Sequence, residues 1–444
     1  MSDPSVSLTS AYNLNIPCTD GAVLLYNSNT GAVLHLAARD AMALAELLCV
    51  PGTVMLGETL PTETFAQLGA GGFLIAAERD ELAEIRERYW QGRAGTPMVL
   101  TLTTTLDCNL GCYYCYEERS KNHLEVRDVE SIVALARERL IAAGKRSLHI
   151  DWYGGEPLMN LEFMEAASTA LQAMCLQNDI AYAASVISNG TQWPDEVGVF
   201  VKRHKIRQVQ ISFDGLRTHH DQRRRYRRDY LPETGASSFD RAVALVDRLL
   251  DHARVDVRIN IDKANQEDVL PFVHFAHERG WFGRAFPAVI QPARLASYSE
   301  RSSFMRRQEL SLDEYDAIRD AVRREVDGRT LIEESEVPDG FPYPKTSVCA
   351  ALATASVVIG ADKQHYRCGL QVSEPQRAVG SLSDAEVEVG DSVWWEQFDP
   401  TCLPSCSQCS FLPICWGGCP KKHLEGDTHA IAEQSAYWRN NLPR

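Results

Sequence analysis

The stretch Met98-Val99-Leu100-Thr101-Leu102-Thr103-Thr104-Thr105-Leu106-Asp107-Cys108-Asn109-Leu110-Gly111-Cys112-Tyr113-Tyr114-Cys115-Tyr116 joins an apolar run to three closely spaced cysteines. Met98 to Thr103 reads as a strand. Cys108, Cys112 and Cys115 have the Cys-x3-Cys-x2-Cys spacing of a three-thiolate iron-sulfur site. Three thiolates on a four-iron cluster leave one iron open to a substrate or cofactor, and chemistry becomes possible there. The competing reading is structural zinc, which takes four thiolate or imidazole ligands. His123, eight residues beyond Cys115, is the one nearby histidine.

Downstream, apolar strand-like runs alternate with amphipathic helical stretches. The strands are expected at Met98 to Thr103, Ser147 to Tyr153, Tyr182 to Ser188, Arg207 to Phe213, Val255 to Ile261 and Ala285 to Gln291. Helices are expected near Val126 to Ala143, Leu161 to Gln177, Asp195 to His204, Phe239 to His252 and Gln266 to Arg279. Repeated β/α units with largely apolar strands predict an α/β fold with a parallel sheet, here a partial (β/α)6 TIM-like barrel. Ligands of such folds bind at the C-terminal ends of the strands.

The polar motifs fall at those ends. Gly154-Gly155-Glu156-Pro157 follows the second strand, where glycines let backbone approach a ligand and a carboxylate can accept from an ammonium group. Ser188-Asn189-Gly190-Thr191 ends the third strand. Ser212-Phe213-Asp214-Gly215 ends the fourth and is followed by His220-Asp221-Gln222-Arg223. Asn-Gly and Asp-Gly are turn signals when alone, but their order behind a cysteine motif makes them site candidates. Asn260, at the fifth strand's end, is a weaker candidate, since a lone Asn there is usually a cap.

The cysteine spacing, with Tyr114 before the third thiol, resembles the signature of the radical S-adenosylmethionine (radical SAM) enzymes. The resemblance implies that Cys108, Cys112 and Cys115 hold a [4Fe-4S] cluster whose open iron binds S-adenosyl-L-methionine and cleaves it to a 5'-deoxyadenosyl radical. It also implies that Gly154, Gly155, Glu156 and Pro157 meet the cofactor's amino group. Ser188, Asn189, Ser212, Asp214 and Tyr114 then complete its pocket, at the ribose and carboxylate.

Two flanking regions frame the barrel. Residues 1–90 carry a predicted hairpin, Ala22 to Tyr26 and Ala32 to Leu36 around Asn27-Ser28-Asn29-Thr30-Gly31, then helices from Ala38 to Leu48, from Thr62, and from Asp80 to Tyr89. This small α+β order resembles the peptide chaperone of the pyrroloquinoline quinone pathway, which implies leader-peptide recognition; a stabilising extension is the alternative. Residues 91–96 read as a linker to a barrel domain over 97–310. After a helix from Leu312 to Val326, the segment 311–444 is irregular and holds Cys349, Cys368, Cys402, Cys406, Cys409, Cys415 and Cys419. Cys406-x2-Cys409-x5-Cys415-x3-Cys419, enclosing Trp416-Gly417-Gly418, resembles the SPASM extension of radical SAM peptide maturases. That resemblance implies two auxiliary [4Fe-4S] clusters, the first on Cys349, Cys368 and Cys419, the second on Cys406, Cys409 and Cys415. The family's last cysteine is missing and Ser435 stands near its expected place; Cys402 is a compensating extra thiol, read as a ligand to one of the two clusters. A zinc ribbon competes for these cysteines.

Composition sets the bounds. With 444 residues, 45% hydrophobic, the chain can bury a sizeable core. A formal charge of -15 argues against nucleic acid as a partner. Arg223-Arg224-Arg225-Tyr226-Arg227-Arg228 is read as a solvated loop. Thirteen cysteines without a secretion signal favour metal ligation over disulfides, and leave Cys18, Cys49 and Cys175 as ordinary thiols. No apolar run suits a membrane span and a cytoplasmic location is expected.

The resemblance implies a peptide maturase that makes a carbon-carbon or thioether cross-link, or another oxidative modification, with a precursor peptide as substrate and an external one-electron reductant of flavodoxin or ferredoxin type. The runner-up is an anaerobic sulfatase-maturating, formylglycine-generating enzyme. Such enzymes carry an Asp after the second upstream auxiliary cysteine, whereas Gly369 follows Cys368 here. An iron-sulfur electron carrier or a zinc-stabilised binding module is the reading from another class.

Overall fold

The computed structural model describes residues 6–18, 20–37, 41–297, 300–326, 341–383 and 391–442. The polar start Met1 to Ser5 and residues 38–40 of an expected helix lie outside them. The chain forms two compact units that do not follow chain order. One comprises residues 1–95, 333–348 and 396–444, the other 96–332 and 349–395. The region expected as one domain over 311–444 is therefore shared between them.

In the first unit, β1 (Val6–Thr9) lies between β5 (Val54–Leu56) and β6 (Leu74–Ile75), antiparallel to both. β2 (Asn13–Pro17), β3 (Val23–Asn27) and β4 (Val33–Leu36) form an antiparallel meander that contains the expected hairpin. The Asn27 side chain closes its turn by accepting from the backbone N–H groups of Asn29 and Thr30. Helices α1 (Ala41–Leu48) and α2 (Thr62–Ala70) follow.

Helix α3 (Glu81–Gly95) overruns the expected linker at 91–96. Tertiary contacts hold those residues helical. Arg93 donates to the carbonyls of Glu396 and Phe398, and a Cβ on Gly92 would stand 2.8 Å from the Thr346 carbonyl oxygen. Higher on the helix, Tyr89 donates to the Phe398 carbonyl at 2.7 Å and packs edge-on against Trp416, while Tyr12, Ile85 and Leu412 form a small core. The N-terminal domain and the cysteine-rich tail thus share one helix.

The second unit contains all six expected strands: β7 (Met98–Thr105), β8 (Ser147–Gly154), β9 (Ala181–Ser188), β10 (Ile206–Phe213), β11 (Arg254–Ile261) and β12 (Val289–Arg294). They pair in parallel and in sequence order, as a partial barrel requires. The sixth strand starts at Val289 rather than Ala285 because Phe286 and Ala288 donate backward, to the carbonyls of Leu250 and Trp281. Helices α4 (Val129–Ala142), α5 (Leu161–Gln177), α6 (Val197–Arg203), α7 (Arg217–Arg223), α8 (Ser238–Leu249), α9 (Val269–Glu278) and α10 (Leu312–Glu325) intervene or follow. Beyond them β13 (Val357–Ile359) adds in parallel to β7, and β14 (Gln364–Tyr366) and β15 (Gly380–Ser381) extend the sheet antiparallel.

The strands are two-faced. Leu100, Ile150, Val186, Ile211 and Val257 are buried in the main core with residues of the flanking helices. The alternate residues Thr101, Asp151, Gln210, Ser212 and Arg258 line a cavity instead. A closed barrel fills its interior with branched apolar side chains; this open one keeps a polar interior. Among the described residues no helix is long and apolar enough to cross a membrane.

Candidate functional site

The cavity, about 530 Å³, lies wholly in the second unit, and the three-cysteine loop forms part of its wall. That loop is tied down at several points. Thr105 Oγ1 and the Leu106 N–H both donate to the Asn122 carbonyl, and the Gly111 N–H donates to the Arg225 carbonyl at 2.7 Å. Asp107 receives Tyr230 Oη at 2.7 Å and the Arg227 guanidinium, and accepts from the Cys108 N–H at 2.9 Å. Tyr230 and Arg227 hold its carboxyl below the usual range despite partial burial, which works the other way. Cys108 Sγ accepts from the Leu110 N–H and from Asn189 Nδ2, at 3.5 and 3.7 Å.

Burial is the main reason that Cys108 and Cys112 are pushed up and that Cys115 rises to about 11, and repulsion from Cys112 adds to it at Cys108 and Cys115. Buried thiols that resist ionisation together are a donor set that a cationic cluster suits, because metal ligation deprotonates them outright. Among the described residues no group of three or more His, Cys, Asp and Glu side chains is drawn close enough to hold a single metal ion. His123 is exposed, and its Nδ1 stands 3.0 Å from the Lys121 carbonyl oxygen.

The glycine pair serves the loop as well as the cavity. Gly154 has φ +138°, and a Cβ there would stand 2.2 Å from the Thr105 carbonyl oxygen; one on Gly155 would stand 2.4 Å from that of Asp107. The Gly155 and Glu156 N–H groups donate to the same two carbonyls, at 3.0 and 3.1 Å. Glu156 is fully buried. Its carboxylate accepts from Ser188 Oγ at 2.9 Å, the Asn189 N–H at 2.7 Å and the Leu158 N–H at 3.3 Å, tying the end of β8 to that of β9. Burial raises it to about 7 against those hydrogen bonds. Pro157 opens a short turn and accepts from Thr104 Oγ1.

The expectation that Arg223 to Arg228 form a solvated loop is corrected. Arg223 and Arg224 are buried, because the fully buried carboxylates Asp214 and Asp262 require cations. Arg223 donates to Asp214 at 2.8 Å and to Asp262 at 2.9 Å. Arg224 donates to Tyr114 Oη at 2.8 Å and lies 3.5 Å from Asp214, whose carboxylate also accepts from Tyr114 Oη at 2.7 Å. Asn260 Nδ2 stands 3.4 Å from both Tyr114 Oη and Asp214. Asp214 is thus an anchor below the wall, whereas Tyr114, Ser188, Asn189, Ser212, Asn260 and Arg224 line the cavity. His220 is buried among Phe213, Phe239 and Arg224 and held neutral by that burial.

Sequence reasoning did not single out Arg224, Arg258, Tyr153 or Glu117, all of which line the cavity. Tyr153 Oη contacts Tyr116 Oη and interacts with the buried Glu117, whose carboxyl burial pushes upward. The available signal was strand alternation, which puts Tyr153 and Arg258 opposite the apolar face.

The later cysteines divide between the units: Cys349 and Cys368 in the second, Cys402, Cys406, Cys409, Cys415 and Cys419 in the first. Cys368 lines the cavity. Cys406, Cys409 and Cys415 are electrostatic neighbours, and burial with mutual repulsion pushes Cys415 up. Left-handed backbone at Trp416, Gly417 and Gly418 turns the chain between Cys415 and Cys419. Cys402 Sγ accepts from Arg86 at 3.6 Å. None of the thirteen cysteines is in a disulfide.

A parallel partial barrel with three thiols and a Gly-Gly-Glu-Pro turn at its strand ends is the arrangement expected of a radical SAM domain. Residues 102–276 match the family model of the radical SAM superfamily, and this chain carries that domain. Radical SAM enzymes use S-adenosyl-L-methionine and a [4Fe-4S] cluster. Over 332 residues the chain is 26% identical to a serine-type anaerobic sulfatase-maturating enzyme of Klebsiella aerogenes, covering 70% of this chain and 77% of that one. The sporulation killing factor maturation protein SkfB of Bacillus subtilis is 31% identical over 128 residues, 29% of each chain. Among solved structures, anSMEcpe with bound AdoMet superposes with TM-score 0.57 at 17% identity, over 78% of this chain and 98% of that one. Streptococcus suis SuiB bound to the precursor peptide SuiA gives 0.51 at 15%, over 93% and 95%. At these identities the structural likeness speaks for the fold.

Proposed function

We propose that this chain is a radical SAM maturase of a ribosomally made precursor peptide, forming a carbon-carbon or thioether cross-link or a related oxidative modification. The observation that carries the reading is convergence: the three-thiol loop, Gly154 and Gly155 of the Gly-Gly-Glu-Pro turn, and the ends of β9, β10 and β11 border one cavity of about 530 Å³, with Glu156 and Pro157 set behind its lining, a volume within the usual range for small-molecule sites.

Cys108, Cys112 and Cys115 would hold the [4Fe-4S] cluster. With S-adenosyl-L-methionine bound, the pair supplies one-electron cleavage and a hydrogen-abstracting radical. The chain's own residues position and shield. Asn189 and the Leu110 N–H donate to the Cys108 sulfur and favour its thiolate. Arg224 has a buried Nε without a partner among the described residues, which suits the cofactor's carboxylate. Tyr114 and Asp214 fix that guanidinium, and Arg223 neutralises the rest of Asp214. Glu156, with its oxygens engaged, is a positioning residue for Ser188 and Asn189. The buried walls exclude water from a reactive site.

Two auxiliary [4Fe-4S] clusters are part of the proposal, the first on Cys349, Cys368 and Cys419 and the second on Cys406, Cys409 and Cys415, with Cys402 a ligand to one of the two. The cavity position of Cys368 supports the first. The N-terminal domain would bind the leader segment, and a flavodoxin or ferredoxin type protein would supply electrons.

Sulfatase maturation is the second reading, favoured by the Klebsiella relatives. Gly369 argues against it, standing where the resemblance to such enzymes implies an Asp. The test is iron and sulfide content after anaerobic reconstitution, with reductant-dependent release of 5'-deoxyadenosine from wild type and from Cys112→Ala/Cys115→Ala. Cleavage lost in the variant supports the radical reading; zinc, or iron without cleavage, overturns it. Formylglycine formed on a cysteine- or serine-bearing sulfatase peptide would establish the second reading.

A further inference from the structure

We infer that the substrate presents an acidic side chain to the barrel interior and that Arg258 receives its carboxylate. This rests on the maturase reading and adds the substrate's chemical class.

Three arginines and two carboxylates line the cavity besides the thiols, and most are already engaged. Arg224 is bound to Tyr114 and Asp214, and Arg119 donates to the Cys112 carbonyl. On the acidic side, Asp151 accepts from Ser185 Oγ and lies 3.2 Å from His149, while Glu117 is buried against Tyr153. Arg258 differs. Its Nε donates to Asn260 Oδ1 at 3.1 Å, and among the described residues its terminal nitrogens have no hydrogen bond or ion pair. A half-buried guanidinium facing a cavity with its planar fork unused matches a carboxylate, which it can bind through two parallel N–H···O bonds.

A second observation points the same way. Arg258 stands in register with Ser212 on β10 and Gln291 on β12, so the three side chains share one face. Gln291 Nε2 is buried and has no partner among the described residues. A buried amide donor left unsatisfied is costly, and Gln291, set back from the cavity lining, adds an unengaged donor beside Arg258 in the β11–β12 pair. The row therefore offers donors from adjacent strands and no carboxylate of its own.

The cofactor does not account for this site. S-adenosyl-L-methionine has one carboxylate, and Arg224 is the arginine beside Cys112. Arg258 lies instead in the electrostatic neighbourhood of Tyr116. The open arginine is left to the substrate.

The test uses the reconstituted full chain and two blocked tripeptides, N-acetyl-Ala-Glu-Ala-amide and its Gln counterpart, titrated by ligand-observed NMR with and without S-adenosyl-L-methionine. Blocked ends restrict the carboxylate to the side chain; N-acetyl-Ala-Ala-Ala with a free C-terminus is the arm for a terminal carboxylate. Wild type is expected to bind the Glu peptide about tenfold more tightly than the Gln peptide, the scale of a charge-assisted hydrogen-bond pair. Arg258→Gln is expected to abolish the preference, with cofactor affinity by equilibrium dialysis within about twofold of wild type. Arg258→Lys keeps the charge but loses the fork, so its preference should fall to about threefold. That variant decides the matter if Arg258→Gln fails to fold. No preference in wild type, a preference that survives Arg258→Gln, an undiminished one in Arg258→Lys, tighter binding of the free-terminus peptide, or loss of cofactor binding in Arg258→Gln would each overturn the inference. None of these readouts is turnover, so absent 5'-deoxyadenosine release would sink the radical reading and leave this measurement standing.

Discussion

Replacing Gly155 with Ala tests whether the Gly-Gly-Glu-Pro turn holds the three-cysteine loop. The added Cβ would stand 2.4 Å from the Asp107 carbonyl oxygen, 2.9 Å from its carbon and 3.0 Å from the Leu106 carbonyl oxygen. Ordinary contact begins at 3.4 Å, so the nearest overlap is 3.4 − 2.4, or 1.0 Å. The struck atom is backbone, and it already accepts from the Glu156 N–H at 3.1 Å, so it has no side-chain torsion to swing away. Overpacking of this kind costs about 1–3 kcal/mol, and the displacement falls on the residue next to Cys108. Gly144→Ala is the control: its φ is +62° with nothing within 4 Å of the new Cβ, which leaves only backbone strain of about 1 kcal/mol. Urea unfolding of the metal-free chain and iron content after reconstitution read the two effects separately. Gly155→Ala should lose stability and about one cluster's worth of iron, whereas Gly144→Ala should lose a little stability and no iron. A Gly155→Ala protein with wild-type midpoint and iron would refute the account of this turn.

Other expectations follow from the same contacts. Glu156 is raised to about 7 in the folded chain from 4.5, so between those values the native state holds more protons than the unfolded one. Stability of the metal-free chain should then fall as pH rises through that window, by up to about 3 kcal/mol; Glu156→Gln should flatten the slope, and an unchanged slope would exclude Glu156 as its source. Asp214→Asn strips charge from the carboxylate that Arg223 and Arg224 share and should cost about 3–5 kcal/mol in urea unfolding and weaken cofactor binding; Asp221→Asn is the nearby comparison. Deleting residues 1–90 cuts α3 inside its length and removes Tyr89 from Phe398 and Trp416. It should lower auxiliary iron while the Cys108 site still reconstitutes, and full iron content after deletion would contradict the shared helix.

The barrel was legible because its signals are local. Each of the six strands is a short apolar run followed by an amphipathic helix, and each polar motif sits within a few residues of a strand's end, so periodicity and order sufficed. β13 to β15 escaped because strands of three, three and two residues carry almost no pattern of their own; the pairing of β13 with β7, of β14 with β13 and of β15 with β14 makes them strands. Helix α3 was cut short for a related reason. Gln91-Gly92-Arg93-Ala94-Gly95 has the composition of a linker, and tertiary contacts, among them the bonds from Arg93 to the distant carbonyls of Glu396 and Phe398, hold it as helix.

The basic run gives the more general lesson about sites. Six residues, five of them arginine, read as solvated surface when counted by charge alone, since the sequence does not say where the counter-charges lie. Those charges are Asp214 and Asp262, one strand end away and two strand ends away, and they become partners only when β10 and β11 are laid side by side. Burying two carboxylates requires two buried cations, so Arg223 and Arg224 are drawn in while Arg225 and Arg228 remain exposed. The same logic distinguishes Arg258, the guanidinium in this cavity to which the described residues bring no carboxylate. An unengaged guanidinium fork that faces a cavity points to the group a ligand brings, and for Arg258 that group is a carboxylate.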